Sequence, residues 1–224
     1  MPARVENPSF QFWGCSEIRE SLGQRAHSLW QLLERLESVP VESIYHHTVR
    51  CRLRRPVVAT TYPDDFSIWV ATEARDLALA ERLSFHSPFD FPDGETFRQH
   101  LLETIDEHLS GLRFPPPSMV EKPFHFLRGH LAAVPLEIEA SDLDSFRLAL
   151  ARVDDKSVYY HAVEAIGRLE DPRGDFAAWI EDILGHASLG RQIAEIDPFV
   201  MSLSGIRERI LALIDLNRNG EKSS

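Results

Sequence analysis

The sequence predicts a mainly α protein made of two tandem helical repeats, each with a short strand, packed as pseudo-symmetric lobes. Three observations predict it: a self-match at a fixed offset, apolar stripes at helical spacing in both halves, and a proline run between them. Sliding the chain by 114 residues places Ser43, Tyr45 and His47 on Ser157, Tyr159 and His161. The same offset matches Phe10 and Phe12 with Phe124 and Phe126, Leu22 with Leu136, Ala26 with Ala140, Leu29 with Leu143, Leu36 with Leu150 and Val39 with Val153. That makes ten identities in 38 positions, where ordinary composition gives roughly two or three. Beyond the histidines the offset becomes 110, aligning Asp65, Phe66 and Trp69 with Asp175, Phe176 and Trp179, then Pro88 with Pro198; at 109, Arg98 meets Arg207.

These registers divide the chain into a tail (1–9), a first repeat (10–110), a proline-rich linker (111–123) containing Pro115, Pro116 and Pro117, a second repeat (124–218) and a disordered polar tail (219–224). Three consecutive prolines favour extended geometry and stop a helix.

Within the repeats, Phe124 to Ile138 reads as extended, whereas the first repeat passes from Phe10–Phe12 into a short helical stretch near Ser16–Leu22; the two strands are candidates to pair. A helix follows in each, Arg25–Glu37 and Asp142–Arg152. The tyrosine–histidine segment is ambiguous in one half and clear in the other. Residues 45–53 alternate as a strand would, but Val158, His161, Ala162, Ala165, Ile166 and Leu169 form a helical stripe, and a shared fold makes both helical. Ser43 and Ser157 are then the expected N-caps. Phe176, Trp179, Ile180, Ile183 and Leu184 make the clearest stripe, with Asp175 and its counterpart Asp65 as expected caps. Pro88 and Pro198 break the chain before a last helix striped by Phe97, Leu101, Ile105 and Leu109 in one half and by Ile206, Ile210 and Ile214 in the other.

A net charge of −11 argues against binding nucleic acid or anionic membranes. No apolar run is long enough to span a bilayer and no signal-peptide core opens the chain, so a cytoplasmic location is expected. Cys15 and Cys51 have no metal or redox spacing and are expected to be buried and idle.

The candidates for chemistry are the polar residues common to both halves: His47, Asp65 and Tyr45, with His161, Asp175 and Tyr159. A histidine oriented by an aspartate is the arrangement of a general base. On a helix, however, His47 and His161 face the core, and tyrosine and histidine two residues apart point to opposite sides. One histidine and one acid per half fall short of the three ligands of a mononuclear metal site, so neither metal nor cofactor is expected. Only the first half carries His46 with the basic cluster Arg50, Arg52, Arg54 and Arg55, a candidate site for a small anion. The tryptophans are expected in the core, and Arg98 and Arg207 in structural bridges.

At these phrases the chain resembles an uncharacterised bacterial family, domain of unknown function 5752. The matching phrases are Ser43–His47 with Ser157–His161, Asp64–Trp69 with Gly174–Trp179, and Ser87–Phe89 with Asp197–Phe199. The family pattern has an asparagine where Asp64 and Gly174 stand and an aspartate where Ser87 stands. The resemblance implies a fold and no activity. The residues themselves favour a noncatalytic helical protein that binds a partner protein or a small anionic ligand. Two alternatives remain open: an enzyme using His47 and Asp65 on an anionic or sugar-phosphate substrate, and an accessory subunit of a carbohydrate-active enzyme.

Overall fold

Two strands of 17 residues, β1 (Phe10–Ala26) and β2 (Phe124–Ala140), pair as an antiparallel two-stranded sheet in an otherwise helical chain. The computed structural model describes residues 8–54, 62–113, 119–169, 171–198 and 200–221. Arg55, the three linker prolines and the last three residues lie outside them.

The strands are longer than the sequence suggests, and Ser16–Leu22, expected as a helix, lies within β1. The local pattern fails because the strand's hydrogen-bonding partner is more than a hundred residues away, and pairing outweighs local propensity. In each strand the opening phenylalanines stand two residues apart and so share one face, which is buried at Phe10 and Phe12 and again at Phe124 and Phe126.

The chain divides into two compact units, each drawing on both strands. The first comprises Glu17–His130, the second Met1–Ser16 with Leu131–Ser224. The opening of β1 therefore belongs with the C-terminal helices and the opening of β2 with the N-terminal ones, opposite to the repeat in which the sequence register places each segment.

In the first unit, α1 (Leu29–Ser38) starts on Ser28, whose side chain accepts from the Gln31 N–H at 3.2 Å. Its far end is held by Arg98, which donates to Leu36 O at 2.7 Å and Val39 O at 2.6 Å. Next, α2 (Val41–Tyr45) runs into a π-helical turn (His46–Arg50) and α3 (Cys51–Arg54). Then come α4 (Asp65–Thr72), α5 (Leu77–Ser84), a 3₁₀ turn (Pro88–Asp90) and α6 (Gly94–Gly111). Leu29, Leu32, Leu36, Phe66, Leu79 and Ile105 pack with Phe124 and Phe126 of β2 in one core.

The second unit repeats the order with α7 (Leu143–Leu150), α8 (Asp155–Tyr159), a π turn (Tyr160–Glu164) and α9 (Ala165–Leu169). It continues with α10 (Gly174–Ala178), a further π turn (Trp179–Ile183), α11 (Ala187–Ala194) and α12 (Leu203–Glu221). Phe10 meets Phe146, Phe176 and Trp179 with ring centroids 5.4–5.6 Å apart. In the first unit Phe124 meets Phe66 at 5.0 Å and Trp69 at 5.9 Å.

The tyrosine–histidine segments are helical, as expected, but their caps are not the serines. Pro40 precedes α2, and Asp154 caps α8 by accepting from the Ser157 N–H at 3.0 Å. Ser43 and Ser157 sit one turn inside their helices, fully buried. Asp64, not Asp65, caps α4, accepting from the Ser67 N–H at 2.8 Å. Asp175 likewise lies inside its helix, where Gly174 at φ +71° turns the chain. A side chain at 174 would press on the His161 carbonyl at 3.1 Å. Trp69 and Trp179 are core residues whose indoles donate just ahead of a strand, Trp69 to Lys122 O at 2.9 Å and Trp179 to Pro8 O at 3.1 Å. Cys15 and Cys51 are buried thiols, donating to Lys156 O and Thr48 O, each at 3.3 Å. Among the described residues no helix is long and apolar enough to cross a membrane.

Candidate functional site

His47 lies in the first π turn, where the extra residue per turn lets His46, His47, Thr48 and Val49 all face inward. Its Nδ1 is 2.8 Å from Asp65 Oδ2, at the first residue of α4. Its Nε2 accepts the backbone N–H of Leu127 in β2 at 3.0 Å. A backbone N–H can only donate, so Nε2 carries the lone pair and Nδ1 the proton. The ring is 3% exposed, and burial above all pushes its pKa below the ordinary histidine value, against the opposing pull of Asp65.

His161 repeats this geometry. Nδ1 is 2.6 Å from Asp175 Oδ2, and Nε2 accepts the Trp13 N–H at 2.9 Å. Leu127 and Trp13 are themselves 114 residues apart. In both units, then, an aspartate–imidazole–amide bridge ties a helix start to the π turn and the π turn to a strand. Neither ring retains a nitrogen free to take a proton from a substrate.

Around His47 the first unit builds further. His46, fully buried, has Nδ1 2.6 Å from Glu17 Oε1 in β1 and Nε2 3.2 Å from Arg54 Nη1. A guanidinium donates only, so His46 too is protonated at Nδ1. Arg54 Nη1 also reaches Glu17 Oε2 at 3.3 Å, and Nη2 donates to Asp65 Oδ2. Glu17, His46, Arg54, Asp65 and His47 thereby form one closed network, with Arg54 the most exposed member at 23%. Arg50 lies beside it, donating to Gly129 O at 2.5 Å with its Cζ 5.2 Å from the centre of the Tyr45 ring. Arg52 is buried.

Gly129 makes the network possible. A Cβ there would stand 2.1 Å from Glu17 Oε1 and 2.7 Å from His46 Nδ1. At the equivalent positions the second unit has Cys15 for Gly129, Leu131 for Glu17 and Tyr160 for His46. These three positions differ together between the halves.

The tyrosines do not join the histidines. Tyr45 is half-buried against Phe89, centroids 6.4 Å apart. Tyr159 is sealed, its hydroxyl donating to Glu164 Oε2 at 2.9 Å. His46, His47 and Asp65 each offer a potential ligand atom within 4.8 Å of the others. Sequence reasoning found those three and Arg54 but missed Glu17, Gly129 and the strand amides. Glu17 and Gly129 carry no distinguishing signal, because most positions differ between the halves; a backbone N–H leaves no mark in a sequence.

The chain belongs to the family of unknown function DUF5752, whose profile matches residues 7–215. Its fold is that of the solved structure of OrfY from Thermoproteus tenax: TM-score 0.77 at 23% identity, over 93% of this chain and 95% of that one. None of the curated proteins matches it.

Proposed function

We propose that this is a noncatalytic binding protein of the bacterial cytoplasm, descended from a tandem duplication, in which the first unit recognises a partner protein or a small anionic ligand and the second is its structural counterpart. The observation that carries the reading is the double engagement of His47 and His161. A general base needs an accessible lone pair, and each Nε2 lone pair is held by a buried backbone N–H. The shared histidines and their aspartates are engaged in these bridges, so recognition is assigned to what the first unit alone carries. That is the basic stretch with Arg50 beside Gly129. Duplication is supported by the sequence register and by the recurrence of the aspartate–imidazole–amide bridge at matching positions.

The test is a thermal-shift screen of the full chain against sugars, sugar phosphates, nucleotides and acidic peptides, with Arg50→Ala and His161→Ala in parallel. A ligand at a hundred times its Kd stabilises by about 2.7 kcal/mol. The expected result is a ligand whose shift vanishes in Arg50→Ala and persists, from a lower baseline, in His161→Ala. A bound compound turned over to product, or a shift indifferent to Arg50, would overturn the reading.

A further inference from the structure

Each strand of the pair has an inner edge, bonded to its partner, and an outer one. In an antiparallel pair the N–H and C=O of alternate residues turn toward the partner, and those between turn away. The Trp13 N–H goes to His161, while the Leu127 N–H and the Gly129 C=O go to His47 and Arg50. The odd-numbered residues therefore face outward in both strands. Pro135 agrees with this parity, since a proline has no N–H to give and is confined to such an edge.

Side chains thus cover the outer edge of each strand near its opening. Further along β1, past Cys15 and Glu17, the next outward residues are Arg19 and Ser21, both exposed. Among the described residues, nothing outside the strand pair is bonded to their backbone. The stretch ends at Gly23, whose φ of +70° bends the chain and whose N–H turns back to Ser21 Oγ at 3.2 Å. A bare edge is a template for another strand, and proteins usually blunt it. β2 does so, because the residue that matches Ser21 at the offset of 114 is Pro135. β1 does not.

Charge around the bare stretch says what would add to it. Arg19 and Arg25 are exposed and, among the described residues, enter no ion pair. The nearby acids are engaged, Glu20 by Arg128 at 2.7 Å and Glu17 by His46 and Arg54. The edge is therefore cationic on a chain whose net charge is −11. We infer that β1 takes up an extended acidic segment of a partner protein as an added strand. The backbone of that segment pairs with Arg19 and Ser21, and its carboxylates meet Arg19 and Arg25 across the new ladder. A basic segment would set like charges opposite one another. This inference does not depend on the anion reading, which rests on Arg50.

Amide hydrogen exchange read by NMR on the full-length protein is the test. In the free protein the Arg19 and Ser21 amides should exchange fast, and those of Ile18 and Glu20, turned toward β2, slowly. The probe is an acetylated nonapeptide alternating glutamate and threonine, with its lysine–threonine counterpart as control. The glutamate peptide should slow the Arg19 and Ser21 amides by about tenfold or more, and the lysine peptide should leave them fast. Ser21→Pro, which copies Pro135, should abolish the slowing at Arg19 by deleting an outward donor while the ladder to β2 stays intact. If that variant does not fold by far-UV circular dichroism, Arg19→Glu serves instead and should abolish the slowing at Ser21. Protected Arg19 and Ser21 amides in the free protein, no slowing by the glutamate peptide, equal slowing by both peptides, or slowing that survives the substitution would each overturn the proposal.

Discussion

Single residues carry most of the account. Removing His47 strands a carboxylate and a strand amide together in the interior, so His47→Ala should cost about 2–4 kcal/mol of stability by urea denaturation. Asp64 carries a penalty instead. Burial, only partly offset by its hydrogen bonds to Ser67, raises its pKa from 3.8 to about 6. The folded state therefore holds a proton between those values that the unfolded state releases, and stability falls as pH rises through that window. Asp64→Asn keeps the cap acceptor without the charge and should stabilise the protein at pH 7 by about 1–3 kcal/mol, a gain that disappears by pH 4. His47 has the opposite sign. Its lowered pKa means the unfolded chain gains the proton first, so stability falls as pH drops below its ordinary value of 6.5. Gly129→Ala should be destabilising by about 1–3 kcal/mol, and less so in a Glu17→Ala background, where the carboxylate clash is gone and only that with His46 Nδ1 at 2.7 Å remains.

At the scale of elements, the helices were the legible part. Stripes such as Phe176–Trp179–Ile180 state which face is buried, and comparing the two halves resolved the tyrosine–histidine segment as helix although residues 45–53 alternate. The strands were not legible, because Ser16–Leu22 is recognisable as strand only beside its partner. The cap of α4 slipped by a residue for a related reason: Asp64 and Asp65 look equivalent in sequence, and only the position of His47 decides which one caps and which one bridges. The aspartate–histidine pairing was visible as a candidate, but its purpose was not, because the third member is a backbone amide. That member makes a direct prediction. The amides of Leu127 and Trp13 donate to buried imidazoles, and in native-state hydrogen exchange they should be among the slow ones, opening only with their units.

For the whole molecule, the assignment of chain to units has the largest consequence. Phe10 and Phe12 complete the core of the second unit although they open the chain. Phe12→Ala should therefore cost about 3–5 kcal/mol and strip exchange protection from Leu143 to Ile214 rather than from Leu29 to Leu109. A unit composed only of neighbours in sequence would give the reverse. The central claim is that the two shared histidines are scaffold, each neutral with its proton on Nδ1 and its lone pair given to a strand. Long-range ¹H–¹⁵N correlation of the imidazoles tests it most directly. At pH 7.5 both His47 and His161 should show the Nδ1–H pattern, and His47 should keep it down to pH 6. An Nε2–H tautomer at either residue, or a His47 that titrates freely near 6.5, would contradict the account and return that ring to the candidates for catalysis.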